Sequence, residues 1–354
     1  MTVQEKIKQL KSQGIPIYSI SRLNAMDECL WSYWLTYMEH LPSKENIYTF
    51  AGTKIHSCLE KIQNGEKVNF KKEFQEMLED AQILGIDFPN ENIKTKWVKN
   101  IQCFIEGYNR PDYKKFETEK LFLIKIHDYY IQGIIDLLIY NDDGTVSIID
   151  YKTSSKFSNS ELKSKGRQLI LYGIAMEQLG YKVKSIAWNM LKYCKTSYPL
   201  KNGKIRETIA ERGYILEKLK NDITKEMKNF TEYDELTAEE MIMKACKDNS
   251  FDGLPAKIKE KYKIEDYIAE YDFSDENKKD LEDFVKAKVG DIEQFSEEKE
   301  WWEPKELTPY NTFFCENLCS FSNDCEYYQE FKEILEVSKQ DEDNEEELEN
   351  NIFF

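Results

Sequence analysis

The feature that most restricts the fold is a hairpin signal near the middle of the chain. Asp136 divides two apolar runs, 131–135 and 137–140, and a third run, 146–149, closes on Asp150-Tyr151-Lys152. Between them lies Asn141-Asp142-Asp143-Gly144, a strong turn sequence. If 142–144 form a three-residue loop with Gly144 left-handed, Asp136 falls opposite Asp150 across the hairpin. Period-two alternation then puts Lys152 on the same face.

Two carboxylates facing each other at a Cβ separation of roughly 5 Å repel. They are tolerated if one is protonated or a divalent cation lies between them. With the Lys152 ammonium beside them, the set is what metal-dependent phosphoryl chemistry requires: oxygen ligands, and a positive charge to steer water and steady developing charge. Taken alone, Asp-x13-Asp-x-Lys reads better as a polar hairpin face with a surface ion pair, because such spacings arise by chance.

More of the chain bears on the choice. Gly133-Ile-Ile-Asp136 followed by Ile149-Asp150-Tyr151-Lys152-Thr-Ser resembles the core of the PD-(D/E)XK nucleases, in particular the RecB-like branch. Gly52-Thr53-Lys54-Ile55-His56 resembles that branch's upstream histidine motif, and Gln168-Leu-Ile-Leu-Tyr172 its Gln and Tyr one helical turn apart. The resemblance covers about half the chain: 17–60, 116–195 and 306–330. It implies a mixed α+β fold, a restriction-endonuclease-like core sheet flanked by helices. It also implies that His56, Asp136, Asp150 and the Tyr151 carbonyl hold Mg²⁺ or Mn²⁺, that Lys152 acts on the attacking water, and that Gln168 and Tyr172 position the strand.

The cysteines give a second set. Cys58, Cys103, Cys194 and Cys246 lie singly in apolar or mixed segments and read as small buried hydrophobes. Cys315, Cys319 and Cys325 cluster in a polar, Asn-rich stretch, which in a reducing compartment points to metal or cluster ligation. Three thiolates leave a tetrahedral site one ligand short, and none of His40, His56 and His127 is close in sequence. RecB-like nucleases with an iron–sulfur cluster, among them the AddB nuclease domain and the CRISPR-associated spacer-acquisition nucleases, supply one early Cys in an aromatic-rich helix. Cys29 in Asp27-Glu-Cys29-Leu-Trp-Ser-Tyr-Trp34 is similar to it, although the late C-x3-C departs by one residue from their C-x2-C. The resemblance therefore implies a [4Fe–4S] cluster on Cys29, Cys315, Cys319 and Cys325, preferred to zinc.

The start of the chain is charged and lacks the apolar core of a secretory signal, and no apolar stretch is long enough to span a bilayer, so a cytoplasmic location is expected. The expected organisation is an N-terminal helical segment with the first cluster Cys (1–48), a nuclease core (49–206), a helical insertion (207–305), a Cys segment (306–330) and an acidic disordered tail (331–354). Apolar spacing predicts helices over 71–84 and 92–108. One intertwined body is favoured, since the cluster ligands come from both ends. There is no Walker-type phosphate loop, hence no ATP-driven motor.

The net charge of −17 argues against a nucleic-acid partner until its distribution is considered. From Tyr151 to Arg206 there are twelve Lys and Arg against two acids, interleaved with Tyr172, Tyr181, Trp188, Tyr193 and Tyr198. That mixture suits a phosphate backbone with unstacked bases, although singly these residues read better as a solvated face and core aromatics. Asp341 to Glu349 adds seven acids before Ile352-Phe353-Phe354, similar to the acidic, Phe-ending tails with which single-strand-binding proteins dock on replication or recombination partners. The expectation is a metal-dependent DNA exonuclease on single strands or ends, in recombination, repair or phage DNA processing. The alternative is a catalytically silent DNA-end-binding scaffold, against which the intact His56, Asp136, Asp150, Lys152 and Gln168 stand. A redox protein built on the cluster leaves the hairpin unexplained.

Overall fold

The structure, a computed structural model, describes residues 1–200 and 202–337. In chain order its elements are α1 (Val3–Ser12), β1 (Ile17–Ser19), α2 (Ile20–Glu28), α3 (Leu30–Tyr37), α4 (Ile47–Gln63), α5 (Phe70–Ile83), α6 (Glu91–Gly107), β2 (Phe116–Ile126), β3 (Tyr129–Tyr140) and β4 (Thr145–Lys152). There follow α7 (Leu162–Gln178), β5 (Lys182–Pro199), β6 (Ile205–Glu211), α8 (Ile215–Met227), α9 (Glu235–Asp248), α10 (Ala256–Lys261), β7 (Lys263–Tyr271), α11 (Asp275–Phe295) and α12 (Phe313–Asn317). This is the mixed α+β architecture expected, a mixed sheet with flanking helices. Residues 326–337 are helical, so the expected disordered tail does not begin at 331. The acidic run and its Ile-Phe-Phe end lie outside the described residues. No described helix is long and apolar enough to cross a membrane.

Two compact units emerge where one intertwined body was favoured, each assembled from distant segments. The larger spans 48–122 and 133–278. Its hairpin has the register read from the turn: Leu137 pairs with Ile149 and Tyr140 with Val146. Gly144 is left-handed at φ 79°, a conformation open to glycine at little cost. β4 then pairs in parallel with β5, Asp150 opposite Trp188 and Lys152 opposite Met190. The parallel return is made by α7, which packs closely because Gly166 and Gly173 leave room for Tyr271 and Phe273; a Cβ at either would lie 2.3 Å from the ring.

The predicted helices at 71–84 and 92–108 are α5 and α6, each started by an Asn whose side chain accepts an amide of the first turn: Asn69 from Lys72 and Asn90 from Ile93. The segment 207–305 holds helices, as expected, but also β7 and most of β6. β7, Lys263–Tyr271, pairs with the long β5, but its Ile264, Tyr267, Ile268 and Tyr271 recur at i, i+3, i+4 and i+7, a spacing that reads as a helix. In the same unit α8, α9 and α10 bury Leu219, Ile223, Ile242 and Ile258 together with Tyr198 and Tyr262.

The smaller unit joins 1–47, 123–132 and the C-terminal segment from 279. β1 pairs in parallel with Tyr130–Gln132. Its aromatic core stacks Tyr33 on Trp302 at 5.2 Å, and Arg22 donates to the Tyr33 hydroxyl at 3.0 Å while its guanidinium lies over the Tyr18 and Tyr37 rings.

Candidate metal centre and cysteine cluster

The hairpin carries the first site. The Tyr151 amide donates to Asp136 Oδ2 at 2.7 Å, so the backbone itself fixes that carboxylate across the end of the ladder. Asp150 is the most enclosed of the acids, its side chain 2 % exposed. Burial, and then Asp136, raises its carboxyl to about 6, against the opposing pull of Lys152. Lys152 Nζ lies 2.8 Å from Asp150 Oδ2, yet that buried oxygen has no partner at hydrogen-bond geometry. A buried carboxylate oxygen without a hydrogen bond is costly and suits a cation ligand.

Helix α4 brings the histidine. It passes close to the loop after β4 at Gly52, where a Cβ would lie 3.8 Å from Thr153 Oγ1, and His56 follows one turn on. His56 Nδ1 is 3.5 Å from Asp136 Oδ2 and its ring meets Tyr151 edge-on at 6.0 Å. Burial alone would lower the His56 pKa; the Asp136 carboxylate, helped by Asp150, outweighs it and raises the value.

A third ligand is one that sequence reasoning missed. Ligand atoms of His56, Asp136 and Glu119 on β2 all lie within 4.8 Å of one another. Glu119 has φ 46°, a left-handed conformation that costs a non-glycine residue on the order of 1–3 kcal/mol and concentrates at functional sites. Burial and the neighbouring Asp136 push its carboxyl up to about 6. Two carboxylates beside a histidine form a donor set that fits a hard divalent cation.

Behind the metal ligands stands a chain of hydrogen bonds. Lys152 Nζ donates to Gln168 Oε1 at 2.9 Å, and Gln168 Nε2 donates to the Tyr172 hydroxyl at 2.6 Å. Gln168 and Tyr172 share one face of α7, as their spacing predicted. Tyr172 is 4 % exposed, packed edge-on against Phe122, and burial raises its pKa well above the ordinary value. It therefore holds Gln168 from behind instead of presenting its hydroxyl to a strand.

The second constellation lies in the smaller unit. Burial pushes the Cys315 thiol up to about 12, and its next-largest influences are Cys319, Cys29 and Cys325, so the four thiols share one neighbourhood. Burial likewise raises Cys319 and Cys325. Cys29 caps α3, its Sγ accepting from the Ser32 and Lys305 amides at 3.4 Å each; the Cys319 thiol lies 3.8 Å from Ser32 Oγ. The other cysteines are separate; Cys58, Cys194 and Cys246 are buried, while Cys103 is half-buried beside Asn249.

Among solved structures the chain is similar to one titled "Crystal structure of SSO0001", at 14 % identity over 84 % of this chain and 95 % of that one, with a TM-score of 0.25. Curated proteins gave no match. The profile of the PD-(D/E)XK nuclease superfamily matches residues 17–326, which takes in His56, Glu119, Asp136, Asp150, Lys152 and all four clustered cysteines, and the chain belongs to that superfamily.

Proposed function

We propose that the protein is a Mg²⁺- or Mn²⁺-dependent deoxyribonuclease of the RecB-like branch, an exonuclease acting on single-stranded DNA or DNA ends in recombination, repair or phage DNA processing. The observation that carries this reading is the set of His56, Glu119 and Asp136 ligand atoms within 4.8 Å of one another, beside the buried Asp150 and Lys152. His56, Asp136, Asp150 and the Tyr151 carbonyl would hold the cation, with Glu119 added by the geometry. When bound, such a cation supplies Lewis-acid stabilisation of the phosphate and a more acidic water.

The chain's own groups do the rest. Asp136 is pre-aimed by the Tyr151 amide. Lys152 orients the attacking water and offsets charge as it develops on phosphorus-bound oxygens, its ammonium held by Gln168 and not free to swing. Tyr172 fixes Gln168 in turn. Asp150 and Glu119 must both lose their protons before a cation is held, so ligand binding releases protons.

Cys29, Cys315, Cys319 and Cys325 would carry a [4Fe–4S] cluster as a structural staple. Amide donors to the Cys29 sulfur support this, since such hydrogen bonds are typical of cluster sulfurs. The acidic C-terminal stretch would recruit a replication or recombination partner or screen the basic stretch.

The test is incubation of anaerobically purified protein with end-labelled single- and double-stranded DNA, with and without Mn²⁺. Metal-dependent release of mononucleotides or short products, absent in Asp150→Ala, is expected. Binding without cleavage under every metal condition would favour the silent end-binding scaffold.

A further inference from the structure

Strand β5 changes its neighbour in the middle. Along one edge it pairs with β4 up to Met190, which faces Lys152, and with β6 only from Tyr193, which faces Glu211. Leu191 and Lys192 fall in the gap, and on the other edge the pairing with β7 is interrupted over the same residues. Arg212 closes part of the break, donating to the Leu191 carbonyl at 3.1 Å, the Tyr193 carbonyl at 2.9 Å and Asp266 at 2.8 Å.

Lys192 itself has no ion-pair partner among the described residues. It is 7 % exposed, and among the described residues its ammonium hydrogen-bonds to the Ser155 hydroxyl at 3.2 Å and ion-pairs with no carboxylate. Burial lowers its pKa, opposed by the Glu211 carboxylate. Ser155 is exposed, in the loop that leaves β4 just after Lys152. The stem of Lys192 is thus buried while its charge ends at a surface loop beside the metal centre. A buried ammonium without a carboxylate is expensive, and a merely structural position would be filled as well or better by an apolar residue.

The hydrogen bond to Ser155 says where that charge lies. Lys192 is two residues beyond Met190, the partner of Lys152, where the pairing of β5 is interrupted, and its ammonium reaches the loop three residues after Lys152. We propose that Lys192 and Ser155 form a phosphate-binding subsite for the nucleotide adjoining the scissile one, fixing the strand so that the scissile phosphate meets the metal ligands. The inference rests on the nucleic-acid reading above and adds a residue that touches the backbone, not the reacting phosphorus.

The experiment measures binding without cleavage. Anisotropy of a fluorescein-labelled oligodeoxythymidine is followed in EDTA over a series of NaCl concentrations, for wild type, Lys192→Met, Lys192→Arg and Ser155→Asp. Loss of one phosphate contact to a single strand reduces the slope of log K against log salt by about 0.7. Lys192→Met should show that loss with unchanged or higher thermal stability, and Lys192→Arg should retain the wild-type slope. Ser155→Asp, on an exposed loop that tolerates the change, should reproduce the loss by neutralising the ammonium in place. Wild-type binding with no slope change in Lys192→Met and Ser155→Asp overturns the subsite and leaves the nuclease reading standing. Failure of the wild type to bind overturns both.

Discussion

At the scale of the residue, much of the candidate site could be located from the sequence. Asp136, Asp150 and Lys152 could be placed from one turn and period-two alternation, because a short hairpin fixes its own register. His56, Gln168 and Tyr172 were reached only through resemblance, since a lone side chain on a helix carries no positional information. Glu119 was not legible at all: its left-handed backbone breaks the alternation of β2 at that residue, so a period-two reading could not place it. Asp150→Ala or Lys152→Ala should lower cleavage by about two to three orders of magnitude with folding retained, checked by gel assay beside circular dichroism. Glu119 gives a prediction of another kind. Its carboxyl binds a proton more tightly folded than unfolded, between the ordinary 4.5 and about 6. The metal-free folded state therefore holds the extra proton in that window, and the stability from this group is present at low pH and falls as pH rises through it. Glu119→Gln should accordingly raise the Tm of EDTA-treated protein at neutral pH, with the gain vanishing below about pH 4.5. A Tm difference independent of pH would show that the charge is not the cause.

At the scale of the element, the two glycines of α7 govern how the parallel return closes. Gly166 and Gly173 are seven residues apart, hence on one helix face, and both meet aromatic rings from β7 and the residue pair beyond it. Gly173→Ala gains helix propensity of about 1 kcal/mol but drives a methyl into Phe273. The expected outcome is a net loss of about 1–3 kcal/mol in urea unfolding, since overpacking outweighs propensity. That contact was invisible in the sequence, where a glycine inside an amphipathic run only lowers the expectation of a helix. The helices α5 and α6 were legible to within a residue or two because their apolar spacing and Asn caps agree. In the smaller unit, the proposed cluster predicts that anaerobically purified protein is brown, and that Cys29→Ser abolishes the colour and lowers the Tm, read by visible absorbance and iron analysis. A colourless wild type with one equivalent of zinc would assign the thiols to the other metal.

At the scale of the whole molecule, charge is segregated along the chain. The seven acids of 341–349 account for a large part of the −17 total, while 151–206 is strongly basic. Removing 338–354 should tighten binding to single-stranded DNA at low salt, with the difference fading as salt screens it. Equal affinities at low salt would leave those residues no screening role. The grouping of the chain was legible only in part: cysteines at both ends implied that the ends meet, but the assignment of 123–132 to the same unit depends on β1 pairing with Tyr130–Gln132, which no local pattern announces. The stacking of Tyr33 on Trp302 has a consequence in time. A ribosome adding about 5–20 residues per second needs from roughly a quarter of a minute to a minute to travel from one ring to the other. Through that interval the aromatic face of α3 and the thiol of Cys29 exist without the segment that covers them, so the smaller unit is completed only late in synthesis.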